Sequence, residues 1–316
     1  MGFLLLLEII VIIIMGDYHC HIRIMGDFQR GMYVSLRTDQ IGGSPVGEEF
    51  KYILGDQAKE EQLLQYIKTT SMERLSLYDM QNILPAMNEQ LRKFMQNARN
   101  NSGIKRIEAI QGWSEPAWNN IFNFQEQLSK EEKFDGFTFE IEWWNQANSD
   151  DYGKFDQVLK FINIMRKNNY TDRDGNPISI SVYIGYPSQE EMDSLVMAGV
   201  NWIYVQYNVK DVHKAVNWHE ERLKYILNSN QKFNKTVVCV PIFYGEDDDG
   251  MGTQLSEIGL PKAEKIYCDD FDNKGYETLP LIGTQYWEYS NLSKFVTKDQ
   301  NSLCGLICDV FMFCQV

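Results

Sequence analysis

Residues 134–145 read FDGFTFEIEWWN and place two glutamates, Glu140 and Glu142, one residue apart in an otherwise apolar run. Side chains alternate sides along a strand. Gly136, Thr138, Glu140 and Glu142 therefore share one face, and Phe137, Phe139, Ile141 and Trp143 share the other. The apolar face suits packing beneath helices, so the polar face must look into whatever the sheet encloses. Glu142, nearest the C-terminal end, is expected at an open cleft, with Glu140 one layer deeper. Two carboxyl groups this close in a partly dry site disfavour double ionisation, so one of them keeps its proton to higher pH. A carboxylic acid still protonated near neutrality can donate to a leaving oxygen, which is what glycoside cleavage requires. The same strand would equally suit a buried pair answered by Arg or Lys from neighbouring strands, and its residues alone leave both readings open.

The elements that must position this strand recur along the chain. Apolar, β-rich runs occupy residues 31–36, 74–78, 106–111, 134–142, 178–184, 202–206, 236–243 and 281–287. Between them lie segments of helical periodicity, among them 80–97, 150–166 and 211–227. Asp150 is placed to cap one helix, and Ser188 with Glu191 forms a capping box at the start of another. Eight strand–helix repeats point to the α/β class and a (β/α)8 TIM barrel built as a single domain. A doubly wound sheet more often has about five or six strands, and no Gly-rich phosphate loop follows any strand here. In such a barrel the active site belongs at the C-terminal ends of the strands. Two acidic loops stand out. TDRDGNP (171–177) resembles part of a calcium loop but lacks the later glutamate ligand. GEDDDGMG (245–252) follows the seventh strand and reads as a solvated loop over the C-terminal face.

The 316-residue chain is 44% hydrophobic and 13% aromatic, enough for one large core and for a cleft that stacks flat ligands or sugar faces. Its formal charge of −14 argues against nucleic acid and against an anionic membrane surface, and favours a neutral ligand. The apolar run at 3–14 is shorter than the ~20 residues a membrane span needs and suits a signal-peptide core. Residues 1–27 are therefore read as a leader segment and 28–316 as the barrel domain. No Lys or Arg precedes the run and Glu8 interrupts it; a start at Met15 or Met25 is the alternative, and it would make the protein cytoplasmic rather than secreted. Sequons at Asn100, Asn169, Asn234 and Asn291 agree with passage through the secretory pathway. The six cysteines form no CxxC pair, Cys304 and Cys308 suit one face of a C-terminal helix, and no histidine spacing suggests zinc. A monomer without a stable membrane span is expected.

Several of these strands resemble those of glycoside hydrolase family 18, the chitinases and endo-β-N-acetylglucosaminidases. DGFTFEIE is similar to that family's strand-four signature, Asp-Gly-x-Asp-x-Asp-x-Glu in one spelling. Anchored on Asp135 and Gly136, the signature sets Thr138, Glu140 and Glu142 at its three acidic positions. AIQGW (109–113) resembles the strand-three Ser-x-Gly-Gly-Trp element, keeping Gly112 and Trp113. Gln206, Tyr207 and Asn208 resemble the strand-six Tyr-Asp/Asn element. GTQYW (283–287) resembles the last strand, whose Trp floors the sugar pocket. The resemblance implies substrate-assisted, retaining cleavage of β-1,4 bonds between N-acetylglucosamine residues, in an N-glycan core or a chitin-like chain, with no metal or organic cofactor. By position Glu142 would be the acid/base and Glu140 the partner of the acetamide. Tyr207 would hydrogen-bond its carbonyl beside Asn208, and Trp287 would stack under the sugar. Thr138 departs from the motif by removing the inner acid, and Glu140 by adding a methylene. A catalytically impaired carbohydrate-binding barrel is the alternative. The segment between the last two strands, about forty residues, is short for an inserted domain and implies a shallow cleft.

Other residues complete the expected site. Trp113, on the loop after the third strand, and Trp144, with Asn145 at the mouth of the fourth, are candidate sugar platforms. Gln285 shares a face with Trp287 and is a minor candidate. Trp143 should face the helices. Tyr183 could point inward, and His213 and His219 read as surface residues of a helix.

Overall fold

Alternating β-rich runs and amphipathic helices fold as their spacing implies. The computed structural model describes residues 28–41, 44–112, 114–145, 154–206, 209–245 and 250–296. Eight strands close into a barrel: β1 (Gln29–Ser35), β2 (Met72–Tyr78), β3 (Arg106–Gln111), β4 (Gly136–Phe139), β5 (Ser179–Ile184), β6 (Trp202–Val205), β7 (Val238–Tyr244) and β8 (Gly283–Trp287). Every pairing is parallel, and β8 closes on β1 from Gln29↔Gly283 to Met32↔Tyr286. Helices follow the strands in turn: α1 (Gln57–Thr69), α2 (Asn88–Ser102), α3 (Glu115–Gln127), α4 (Phe155–Asn168), α5 (Gln189–Ala198), α6 (Val212–Phe233), α7 (Leu260–Asn273) and α8 (Tyr289–Phe295). This is a single-domain (β/α)8 TIM barrel. No helix among the described residues is long and apolar enough to cross a membrane.

Local chemistry explains the helix boundaries. Asp56 accepts from the backbone amides of Ala58 and Lys59 and so starts α1. Ser188 and Glu191 form the expected capping box on α5, with bonds of 3.2 and 2.7 Å. Asp211 caps α6 through the His213 amide. Gly199 ends α5 in the left-handed region, which costs a residue without Cβ little.

The barrel separates two kinds of interior. Outward-facing strand residues and the helix stripes form the apolar layer. There Trp118 meets Phe139 at 4.6 Å and Phe122 at 5.6 Å, and Phe139 stacks on Phe161 at 5.7 Å. Each such fully buried side chain contributes roughly 1.5–3 kcal/mol. The apolar face foreseen for Phe137, Phe139, Ile141 and Trp143 packs here. Inside the barrel, polar residues and tyrosines pack with a few apolar ones, Ile110, Val240 and Ile242. Arg74, Arg106 and Trp202 lie at the N-terminal end, and Ser76, Glu108, Thr138, Ser181, Tyr204 and Gln285 above them. Tyr33, Tyr183, Tyr244 and Trp287 lie toward the C-terminal mouth.

Three expectations need correction. The fourth strand is shorter than residues 134–142: its ladder ends at Phe139, and only the Glu140 amide, bonded to the Gln111 carbonyl at 3.2 Å, prolongs it. The helix expected over 80–97 is two, a four-residue turn Met80–Ile83 and then α2, because Pro85 forces Leu84 into extended backbone. His219 is not on the surface. It is fully buried between α6 and α7, its Nδ1 2.9 Å from the Tyr267 hydroxyl, and burial pushes its pKa down to about 3. Asp150, the loop 246–249, the leader and the C-terminal cysteines lie outside the described residues.

Candidate functional site

The two glutamates leave the end of β4 at the C-terminal mouth of the barrel, where the ladder stops and the backbone turns. Asn145 closes that turn, its amide donating to the Glu142 carbonyl at 2.9 Å and its Nδ2 to Glu142 Oε2 at 3.4 Å. Both glutamates are half-buried. Among the described residues no donor reaches the Glu140 carboxyl. Burial, and next the charge of Glu142, push Glu140 up to about 8. Near neutral pH it therefore holds a proton beside a second carboxyl group that faces the cleft. Pairing with Arg or Lys, the alternative left open by the strand's sequence, occurs one layer down instead, at Glu108.

Aromatic side chains frame the pair. Trp287, at the end of β8, meets Tyr33 edge-on at 5.1 Å, Tyr78 at 5.3 Å and Tyr244 at 5.9 Å. The peptide bond that follows it, Trp287–Glu288, is cis. Trp144 lies 5.8 Å from Tyr183 and over Gly185, where any Cβ would collide with the indole nitrogen. The Tyr183 and Tyr244 hydroxyls are 2.9 Å apart. Among the described residues the buried Tyr33 hydroxyl has no hydrogen-bond partner, and burial keeps it un-ionised far above its usual range. Four hydroxyl-bearing rings and two indoles thus surround two carboxyl groups, a lining suited to a flat ligand with many hydroxyls.

The remaining sequence candidates separate. Glu140, Glu142, Trp144 and Trp287 meet at the mouth. Gly112 sits beside them at the end of β3, with its carbonyl accepting from Trp118 Nε1 at 2.8 Å. Thr138 and Gln285 are fully buried beneath. The Gln285 amide, turned so that its oxygen meets donors, accepts from Ser76 Oγ at 3.1 Å and from the Met32 and Tyr33 amides. It reaches no open surface and acts as a strut inside the wall. Trp113, Tyr207 and Asn208 lie outside the described residues. Trp118 is core, and Trp143 is partly buried against the helix layer, 5.1 Å from Phe155.

Sequence reasoning passed over Glu108, on β3 in RIEAIQ. Its carboxylate is fully buried and accepts the Tyr204 (2.7 Å) and Thr138 (2.9 Å) hydroxyls on Oε2, and the Ser181 hydroxyl (3.4 Å) and the Arg106 Nε–H (2.7 Å) on Oε1. Burial opposes its ionisation, but Arg106 and these donors outweigh it and hold the carboxyl below the usual range. Thr138, at the innermost acidic position of the resembled motif, thus spends its hydroxyl on a carboxylate from the next strand. The signal was an ionisable residue on the inward face of a barrel strand, the same alternation that singled out Glu140.

No protein-family model matches the sequence, and no curated protein matches it. Solved structures that it resembles include a glycoside hydrolase family 18 N-acetylglucosaminidase from Paenibacillus barengoltzii, 10% identical, with 86% of this chain and 98% of that one covered and a TM-score of 0.49. A xylanase and α-amylase inhibitor protein from Scadoxus multiflorus is 12% identical, with 87% and 97% covered and a TM-score of 0.48. An uncharacterised Clostridium thermocellum protein that binds two copies of 5-methyl-5,6,7,8-tetrahydrofolic acid is 13% identical, with 82% and 88% covered and a TM-score of 0.45. Likenesses this distant assign no family and no chemistry to the chain.

Proposed function

We propose that this protein is an endo-acting glycoside hydrolase that cleaves β-1,4 bonds between N-acetylglucosamine residues. The observation that carries the reading is the Glu140–Glu142 pair at the C-terminal mouth, one member protonated near neutral pH, walled by Trp287, Trp144 and tyrosines. Cleavage needs an acid for the leaving oxygen and a nucleophile for the anomeric carbon. Glu142, nearer the cleft, is the acid/base. Glu140 faces the 2-acetamido group, whose carbonyl oxygen attacks the anomeric carbon while the C–O bond to the leaving sugar breaks. The proton that Glu140 holds in the free protein passes to Glu142 as the acetamide N–H takes its place on Glu140. Glu142 then delivers it to the leaving oxygen, and later takes one from the water that opens the oxazoline. Trp287 stacks beneath the sugar, and Tyr207 with Asn208, just past β6, binds the acetamide carbonyl.

Release of fluorophore from a chitobioside, and of glycan from an N-glycoprotein, tests the proposal. Glu142→Gln should abolish both, and a matched glycoside lacking the 2-acetamido group should not be cleaved. Equal turnover by the variant would refute the role of Glu142. A second reading, a carbohydrate-binding barrel without turnover, is favoured by one observation: the Thr138 hydroxyl serves Glu108, so no inner acid shares the proton of Glu140. It predicts chitooligosaccharide binding with no product at any protein concentration.

A further inference from the structure

The far end of the barrel interior, away from the glutamate pair, holds charges that do not balance. Arg74 is 1% exposed, and of its three guanidinium nitrogens only Nη2 finds an acceptor, the Thr284 carbonyl at 2.8 Å. Among the described residues its buried Nε and Nη1 find none. Arg106, beside it on β3, lies against the Glu108 carboxylate through Nε at 2.7 Å and Nη2 at 2.5 Å, the latter without hydrogen-bond geometry. Both guanidinium groups lie over the Trp202 ring, their central carbons 5.1 and 4.1 Å from its centroid. The ring meets the flat faces of these cations and leaves their in-plane N–H groups unanswered. Glu108 cannot serve Arg74, since its oxygens already take Arg106, Tyr204, Thr138 and Ser181. The other acids near these strands are already taken: Glu264 is bound to Arg30 on the outer side, Asp135 to Arg99 and Arg173, and Glu73 to Lys105. One fully buried and one largely buried cation therefore face one carboxylate. The Ser179 hydroxyl, a further buried donor without a partner, belongs to the residue paired with Gly136, against which Arg106 Nη2 packs.

We propose that the N-terminal floor of the barrel binds one small monovalent anion of halide size, held by Arg74 Nε and Nη1 with Arg106 and Ser179 beside it. One unbalanced positive charge calls for a monovalent ion, because an isolated buried ion is strongly disfavoured. The donors that lack acceptors are N–H and O–H groups, which fit an anion and exclude a metal. Trp202, lying across both guanidinium groups, limits the room beside them and favours a single-atom ion over an oxyanion. The Arg106 side chain, 15% exposed, marks the route from solvent. The site is independent of the glycosidase reading, because it lies at the opposite end of the barrel from Glu140 and Glu142.

Crystals of the full chain soaked in sodium bromide and measured at the bromine absorption edge test this directly. The expected result is an anomalous peak within about 3.5 Å of Arg74 Nε or Nη1. In solution, the thermal unfolding midpoint should rise and saturate with chloride or bromide, compared with gluconate at equal ionic strength. Arg74→Met should remove that dependence; if the variant does not fold, the wild-type bromide and midpoint data still decide. A water with no anomalous signal at Arg74 would overturn the proposal. So would a peak seen only at soaking concentrations with no halide dependence in solution.

Discussion

Replacing Glu140 by glutamine should make the protein more stable in alkali while leaving it nearly unchanged in acid. The Glu140 carboxyl stands at about 8, raised from 4.5 first by burial and then by Glu142. A carboxyl whose folded value exceeds its unfolded one binds its proton more tightly when folded. Its contribution to stability is therefore fully present below about pH 4.5 and is lost as pH rises to about 8. At ~1.4 kcal/mol for each pH unit, that window sets a ceiling of about 5 kcal/mol, and side-chain relaxation or water entering the mouth brings the expected loss to about 2–4 kcal/mol. Glutamine does not titrate, so Glu140→Gln should lack this loss. Glu288, buried and pushed up to about 7, titrates in the same window in both proteins and cancels in the difference. Urea unfolding of wild type and Glu140→Gln at half-unit steps from pH 4.5 to 9 measures the effect. Curves that converge at the acid end and separate by about 2–4 kcal/mol at the alkaline end support the reasoning. Parallel curves across the whole range would refute it.

Glu108→Gln should cost about 3–5 kcal/mol in urea unfolding, because it leaves Arg106 and the fully buried Arg74 without their carboxylate. Thr138→Asp, which restores the acid of the resembled motif, should destabilise the protein rather than repair it. The new carboxyl would fall within hydrogen-bond distance of Glu108, so the unfolding midpoint should drop more at pH 8 than at pH 5. Trp287→Ala should weaken chitooligosaccharide binding measured by calorimetry. The lost packing on Tyr33, Tyr78 and Tyr244 should also lower stability, by about 1–3 kcal/mol because Trp287 is only partly buried.

The barrel was legible because period-two and helical patterns alternate eight times, and because each strand's inward face is marked by residues no apolar layer would accept. Glu140 and Glu142 were found by that alternation and Trp287 by the family resemblance of its strand, and the three meet at one mouth. Glu108 satisfies the same rule but sits in a strand without a second acid, so it drew no notice, although its partners Tyr204 and Arg106 also occupy inward positions. The early end of β4 was not legible. Residues 134–142 keep a perfect alternation, and only the partner strand, which stops at Gln111, decides where the ladder ceases. His219 was misplaced because a polar residue on a helix defaults to solvent. Its position on the buried stripe with Ala215, Val216 and Leu223 was the better guide, and Tyr267 supplies the partner that makes burial tolerable. Gln285 was rightly turned inward, but depth along a strand cannot be read from alternation alone.

In the proposed function the carboxyl pair at the mouth turns over a glycan that carries its own nucleophile. Fluorophore release from a chitobioside at pH 6 by wild type and by Glu142→Gln tests it most directly, with chitooligosaccharide binding measured on both. Wild-type turnover should fall by about 10²–10⁴-fold in the variant, with binding retained. Turnover undiminished in Glu142→Gln, or binding by wild type with no turnover at all, would contradict it.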